Sequence, residues 1–506
     1  MTQKRNKMSD IVRLVAGDAH SVQKWPLLNT AVAVYVGVVL MTYMLFLIAP
    51  FITVLAKTPL YSIKTYLGLI GAGLLALDLV TNRGLWRGKG CLLLYGICAS
   101  AAISTLTTIS YGIKDNLFDL CWLVVQFALV YSCAWRMDRK QLKKLVDVLF
   151  FAMMAVWLVA CAVSVVQYLF RIGYTYIANP LSDNPELSRQ GFWDNRLFGV
   201  FTGIDYAVYM SLILIIGSVY YLFRIPGKPV RIGLGCAIAV LFLHIVLSGS
   251  RSVQVAMVIY TFCLALLLVR RRDPGHRVKQ YLVRLAAAGC AMLLVIGCYN
   301  GTKSLMERVP DLSLMERPGQ SGEVMGPTDP DAVTDPTEPP QTSLDRELED
   351  VSNDRFQIWG DYLSMAGEIG PFGLSLSNYN DYISANHPEL YIVKHFTKDY
   401  GDSVKTDIVY ECHNNYLFVF VSTGIVGLAC FAAFLILALV RVLKYMKMNP
   451  RMSDACIALS AIVGVGCVEA LFMNSVFLKI NAMSFIFWFA LGILMNLIPD
   501  RAGENS

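Results

Sequence analysis

Four residues whose types suit an anion are spread along the chain: Arg196, Arg251, Arg355 and His413. A guanidinium stays charged at any pH, and its planar fork grips phosphate oxygens in pairs. An imidazole can take a proton from a hydroxyl or hold a phosphate oxygen. His413 lies in "YECHNNYLFVFVSTGIVGL", where Glu411, Asn414, Asn415 and Tyr416 crowd polar groups onto the mouth of an apolar run. Two readings of the histidine stand: it bonds a nearby carbonyl at a helix mouth, or it works on a substrate. Glu411 could orient the ring, although two residues apart is a poor spacing within one helix. Asn414 and Asn415 could cap the helix or bind sugar hydroxyls.

The elements that position these residues are membrane helices. Hydrophobic residues make up 56% of the chain and charged residues 16%, against about half and about a quarter in soluble domains. About twenty apolar residues cross the hydrocarbon layer. Runs of that kind fall near 27–49, 64–82, 90–110, 117–135, 145–170, 198–223, 230–248, 252–270, 280–299, 414–440, 454–474 and 477–498. The expected fold is an all-α integral membrane protein of about twelve transmembrane helices with one large extracytoplasmic loop. The polar, basic start "MTQKRNKMSDIVRL" precedes an apolar run too long for a signal-peptide core, so no cleaved leader is expected. Lys and Arg are dense in alternate loops: the N-terminus, Arg83/Arg87/Lys89, Arg136 to Lys144, Arg224/Lys228/Arg231, Arg270 to Lys279 and Arg441 to Arg451. The positive-inside rule then places the N-terminus (1–26) and the tail (499–506) in the cytoplasm. Thirteen cysteines without a CxxC pair read as small apolar residues, such as Cys98, Cys121, Cys161, Cys263 and Cys430. No metal or cofactor is expected, and no nucleic-acid partner.

The loop assigned outside, 300–413, interrupts this pattern between helices of 27–299 and 414–498. Residues 300–412 hold 8 Lys/Arg against 21 Asp/Glu, a net of −13 that leaves +19 for the rest. Its first part, 300–353, contains "SGEVMGPTDPDAVTDPTEPPQTSLDRELED" and reads as a disordered, solvated tether; the acid spacing matches no calcium loop. Its second part, 354–413, reads as ordered and covering the site. There "DRFQIWGDYLSMAGEIGPFG" places Phe356, Trp359, Leu363 and Met365 at helical spacing before a break at Gly370-Pro371. The expected surface helix would lie on the outer membrane face.

In this topology Arg196, Arg251 (just after the turn Ser248-Gly249-Ser250), Arg355 and His413 all reach the outer interface. Arg196 or Arg251 alone could be reaching for lipid headgroups. Together they suit a multiply charged anion carried in the membrane, above all a lipid pyrophosphate. Asp205, His244 and Glu469 are further intramembrane polar residues, each a functional candidate or a structural partner.

Four stretches resemble the O-antigen ligase and O-antigen polymerase (Wzy/WaaL) superfamily of bacterial membrane glycosyltransferases. "RLFGVFTGIDYAVYMSLIL" resembles its arginine segment leading into a span, and "HIVLSGSRSVQVAM" its Ser-x-Ser-Arg turn. "DRFQIWGDYLSMAGEIGPFGLSLSNY" resembles its Arg-x-x-x-Trp helix, and "HNNYLFVFVSTGIVGLACFAAFL" its His-Asn start. The resemblance covers about residues 190–440. It departs at "TGIDY", where Asn and Pro are expected, and in the acidic insertion. It implies a GT-C-like bundle and inverting, metal-independent transfer from a polyprenyl-pyrophosphate-linked glycan to a glycan or lipid-linked acceptor. The reaction would occur on the outer face of the bacterial cytoplasmic membrane. Arg196 and Arg251 would grip the pyrophosphate and His413 would contact the acceptor hydroxyl or a donor phosphate, as the catalytic set. Arg355 and Trp359 would close over the site, with Glu411, Asn414, Asn415 and Tyr416 also on the substrate. A flippase and a chain-length regulator are the partners implied, besides membrane lipids.

A polymerase of repeat units is favoured over a ligase, because no lipid-core or protein-binding feature is visible. A transporter or flippase is the rival of another class. It would show repeat symmetry between halves, which the single asymmetric loop argues against.

Overall fold

A computed structural model describes residues 25–56, 58, 62–82, 88–177, 187–193, 196–268, 277–309, 312, 355–394, 410–449 and 452–498. Residues 1–24 and 499–506 of the expected cytoplasmic tails, and most of the expected acidic tether, lie outside them. Each of the twelve apolar runs contains a helix. Among the described residues, eight helices are long and apolar enough to cross a membrane: α1 (Pro26–Leu45), α3 (Ile63–Asn82), α5 (Lys114–Trp135), α6 (Arg139–Leu169), α7 (Ile204–Arg224), α8 (Lys228–Ser248), α10 (Arg277–Glu307) and α14 (Asn415–Met448). Shorter apolar helices are α4 (Cys91–Thr107), α9 (Arg251–Leu268) and α16 (Ala482–Leu497); α15 (Asp454–Glu469) completes the set, and α2 (Ala49–Ala56) follows α1.

Local sequence sets where these helices begin and end. Asp138 caps α6 by accepting from the Lys140 and Gln141 amides, and Ser453 and Asn481 do the same for α15 and α16. Gly249, at φ 65°, ends α8 in the left-handed region before Arg251 opens α9. α5 loosens to a π turn at Gln126–Val130 and tightens to a 3-10 turn at Tyr131–Trp135. The buried aromatics Trp122, Trp157, Trp488 and Tyr131 fill the centre of the bundle.

Four findings differ from the sequence reading. First, the sixth run does not enter its helix at 198. Before it, three short strands form a small antiparallel sheet, β1 (Gly173–Ile177), β2 (Leu187–Trp193) and β3 (Arg196–Gly199), in the order β1-β2-β3. Gly199, at φ 66°, ends β3 where an added Cβ would meet the Ser164 hydroxyl, so the helix waits until Ile204. Second, α10 runs eight residues past 299, and Met306 packs on a cluster of Tyr168, Leu197 and Leu247. Third, two residues counted as loop cations are buried and paired. Arg136 forms two bonds to Asp78 of α3, at 2.6 and 2.7 Å, and Lys89 donates to the Ile498 carbonyl at 2.6 Å. Fourth, Cys263 faces outward, whereas Cys98 and Cys161 are buried as expected.

The outer helices are α11 (Arg355–Ser364), α12 (Ala366–Ile369) and α13 (Tyr379–Asn386). The α11 helix exists as expected, but on a different face. Ile358, Tyr362 and Met365 are buried, while Phe356 and Leu363 are exposed. Periodicity finds an apolar stripe without saying whether protein or lipid covers it.

The expected break at Gly370-Pro371 anchors this outer layer to the bundle. α14 is interrupted at Gly424 (φ 62°, ψ −165°). The Val421, Ser422 and Thr423 carbonyls freed there accept from the Leu374 amide (2.7 Å), the Ser104 hydroxyl (3.1 Å) and the Ser100 hydroxyl (2.6 Å). The freed Ile425 and Val426 amides donate to the Gly370 and Pro371 carbonyls at 3.2 and 3.0 Å. Irregular backbone of this kind persists inside a membrane protein only when every polar group finds a partner. The two chains cross at backbone contact. A Cβ on Gly424 would lie 2.4 Å from the Phe372 nitrogen, and one on Gly373 would lie 2.5 Å from the Thr423 nitrogen.

Candidate functional site

Arg196, Arg251, Arg355 and His413 come from four different elements, and each sits at an element's end. Arg196 opens β3, and its Nε donates to the Ser248 carbonyl at 3.2 Å, at the last residue of α8. That places the guanidinium against Gly249, in the turn that delivers Arg251 to the first position of α9. Arg251 is exposed and Arg355 half-buried. The two arginines repel within electrostatic reach of one another, and Asp205 and Glu469 attract Arg355. Arg355 also lies over the Phe472 ring, 5.9 Å from its centroid.

His413 has a left-handed backbone, φ 46°. That conformation costs a non-glycine residue about 1 kcal/mol and is held only by its surroundings. Here both flanks are fixed. The Trp359 indole donates to the Cys412 carbonyl at 2.9 Å, and the Asn415 amide donates to the Ala470 carbonyl at 2.7 Å. Tyr362 and Tyr379 both donate to the Tyr410 carbonyl, at 2.7 and 3.1 Å. α11 therefore sets the histidine's position through the strand leading to α14. Burial pulls the imidazole below its ordinary range; Glu411 and Asp205 oppose this, and Arg355 adds to it. The Glu411 Oε2 lies 3.9 Å from His413 Nδ1, an electrostatic neighbour beyond hydrogen-bond distance.

Not every expected site residue points to a substrate. Asn414 caps α14, accepting from the Tyr416 and Leu417 amides at 3.0 and 3.1 Å. Asn415 is fully buried and accepts from the Phe477 amide at 2.9 Å. Tyr416 donates to the Cys467 carbonyl at 2.9 Å and packs on Phe431 and Phe477. The last two tie α14 to the segment before α16 and to α15. His244 is completely buried, its Nδ1 3.0 Å from the Ser211 hydroxyl, which also receives the Trp157 indole.

The cluster includes acids as well. Asp205, in the first turn of α7, accepts from the Ser250 hydroxyl at 2.8 Å. Glu469, the last residue of α15, is completely buried near Asp205, Ser252 and Arg355. Ser250 and Ser252 flank Arg251 in the sequence, their hydroxyls 3.1 Å apart. Asp205 and Glu469 were visible as intramembrane acids; that the serines around Arg251 join them depends on how α7, α9 and α15 meet.

The fold and site together define a multi-pass membrane protein with arginine, histidine and carboxylate groups gathered at the ends of its helices. Residues 236–432, which include Arg251, Arg355 and His413, match the family model described as O-antigen ligase. Members of that family are membrane glycosyltransferase-like enzymes acting on lipid-linked glycans. No curated protein matches the chain.

Proposed function

We propose that the chain transfers or polymerises glycan repeat units carried on a polyprenyl pyrophosphate, as a step in making a surface polysaccharide. The observation that carries this reading is that Arg251, Arg355 and His413, from separate segments, lie in a chain of electrostatic neighbours, with Arg196 beside the turn that delivers Arg251. Glycosyl transfer from such a donor breaks the bond between the sugar C1 and a phosphate oxygen. Charge then accumulates on the departing pyrophosphate. Fixed guanidinium groups stabilise that charge as it develops, without reorganising at the moment of reaction. Arg196 and Arg251 would take the pyrophosphate, and Arg355 on α11 would close over it. His413, kept neutral by burial, would face the acceptor hydroxyl or a donor oxygen. Attack from the face opposite the pyrophosphate inverts the anomeric centre. Trp359, Asn414, Asn415 and Tyr416 would fix the histidine in place, and Glu411 would tune it.

Polymerase is the favoured form; the ligase reading stays because the matching family model bears that description. Wild type and His413→Ala, at equal membrane levels in a deletion strain, separate them on a glycan gel. Ladders that collapse to a single lipid-linked unit in the variant support a polymerase. Full-length polymer accumulating on the carrier lipid supports a ligase. Glycans unchanged in both the variant and the deletion would sink glycan transfer and favour a transporter.

A further inference from the structure

Glu469 is a completely buried carboxyl, and neither of its oxygens makes a hydrogen bond of full geometry. The Ser252 hydroxyl lies near it, short of hydrogen-bond geometry. From Ser252 a path runs to Ser250 and to Asp205, at 3.1 and 2.8 Å. The hydrogens along this path can be counted, because a serine hydroxyl has only one to give. Ser250 gives its hydrogen to Asp205. In the contact between the serines, Ser252 must then be the donor. Having spent its hydrogen, Ser252 has none to offer Glu469, and a completely buried carboxyl without a donor keeps its proton. Burial argues the same way, since an ionised carboxylate without a direct cation is costly to bury. Among the described residues, no ion pair joins Glu469 to Arg355.

We propose that Asp205 and Glu469 are one carboxyl pair on either side of Ser250 and Ser252, with Glu469 the protonated end and Asp205 the ionised end that accepts the proton of the attacking hydroxyl. This rests on the transfer reaction proposed above. Asp205 is only half-buried and lies within electrostatic reach of both Arg355 and His413, so it faces the reacting groups, while Glu469 faces the protein. In the step, the acceptor oxygen forms its bond to the sugar C1 as the C1–O bond to phosphate breaks. The electron pair of that bond leaves with the pyrophosphate, and the hydroxyl proton passes to Asp205. His413 then orients the acceptor rather than deprotonating it. The other charged and titratable groups facing the pair are Arg251 from α9, Arg355 from α11, Glu411 and His413 before α14, and Tyr206 and Tyr209 from α7.

The test uses the purified full-length protein in lipid nanodiscs, with infrared spectra and turnover of a lipid-pyrophosphate-linked repeat unit. The carbonyl stretch of a protonated carboxylic acid should be present in the wild type at neutral pH, lost in Glu469→Gln and kept in Asp205→Asn. In turnover, Asp205→Asn should lower kcat by on the order of 10²- to 10⁴-fold. Ser250→Ala removes the hydroxyl that donates to Asp205 and should also lower kcat, by a smaller factor, and it serves if Asp205→Asn does not fold. A spectrum unchanged by Glu469→Gln would overturn the pair. Turnover by Asp205→Asn within a few-fold of wild type would overturn its role as acceptor. If the wild type itself transfers nothing, the proposed function fails, and the infrared spectra still decide the carboxyl pair.

Discussion

Arginine meets aspartate twice inside this protein, with opposite designs. Arg136 and Asp78 are both completely buried and matched fork to fork, and Arg136 also donates to the Ala128 carbonyl at 3.1 Å. At the helix ends, Arg355 is half-buried and attracted by Asp205 without a direct pair to it among the described residues. The first arrangement is closed. Its charges are already neutralised, and nothing more can bind there without breaking it. The second gathers cations, an imidazole and carboxyl groups from separate elements, with Arg355 and Asp205 in electrostatic reach but not directly bonded among the described residues. A multiply charged anion would suit it. Charge count alone does not mark a site; how closely each charge is already matched does.

The comparison can be broken most sharply at the closed pair. Removing one partner leaves an uncompensated buried charge, so Arg136→Ala should destabilise by about 3–5 kcal/mol. Replacing both, as Asp78→Leu with Arg136→Met, should recover most of that loss. Thermal unfolding in detergent followed by size exclusion checks both. If the double variant is no better than the single, the pair is not the self-contained unit described here.

At the open site the signs reverse. Arg251→Ala should leave the unfolding midpoint near wild type while lowering kcat for glycan transfer by about 10²–10³-fold, the size of losing one fixed donor to a developing charge. Arg251→Lys keeps the charge but loses the fork, and should fall between the two. An Arg251→Ala protein that unfolds early yet retains its turnover would place this arginine with the structural pair.

Between the two regions lies the crossing at Gly424. Gly424→Ala adds a Cβ where the Phe372 backbone lies 2.4 Å away, in a left-handed conformation. A loss of about 1–3 kcal/mol is expected from strain and overpacking. Faster protease cutting in residues 355–394 would show that the outer layer loosens with it. Cutting at the wild-type rate would mean the crossing does not hold that layer.

The smallest effect belongs to an outer-surface pair. The Glu368 carboxylate, 2.7 Å from His387, raises the histidine above its ordinary range, and the imidazole lowers Glu368. The contribution of His387 is complete below its unfolded pKa and fades as pH rises through the higher folded value. That of Glu368 is present above its unfolded value and fades as pH falls through the lower folded one. Hydrogen exchange around α12 and α13 should be slowest between those limits. His387→Gln should remove the loss on the alkaline side; an unchanged profile would contradict the pairing.

How much of this was legible beforehand depends on what decides each feature. The twelve apolar runs announce their helices because lipid demands long apolar stretches whatever they pack against. The sheet at 173–199 is short and set by its glycines, so no period of useful length marks it. The face of α11 was misread because Phe356 and Leu363 are apolar for the outside, as Ile358 and Tyr362 are for the inside. Arg251 and His413 were readable from residue type and position at element ends. Asn415 and Tyr416 sit beside His413 in sequence yet turn to bonds with the Phe477 amide and the Cys467 carbonyl. The serine path from Asp205 to Glu469 exists only once α7, α9 and α15 are assembled, and no spacing along the chain encodes it.

The central claim is that the open cluster holds a lipid pyrophosphate and drives glycan transfer from it. The most direct measurement is turnover of a purified lipid-pyrophosphate-linked repeat unit by wild type, Arg251→Ala, Arg355→Ala and His413→Ala, each first shown to have the wild-type unfolding midpoint. The account predicts glycan transfer by the wild type and a loss of at least about 10²-fold in the Arg251 and His413 variants. Transfer that survives in all three folded variants would contradict it.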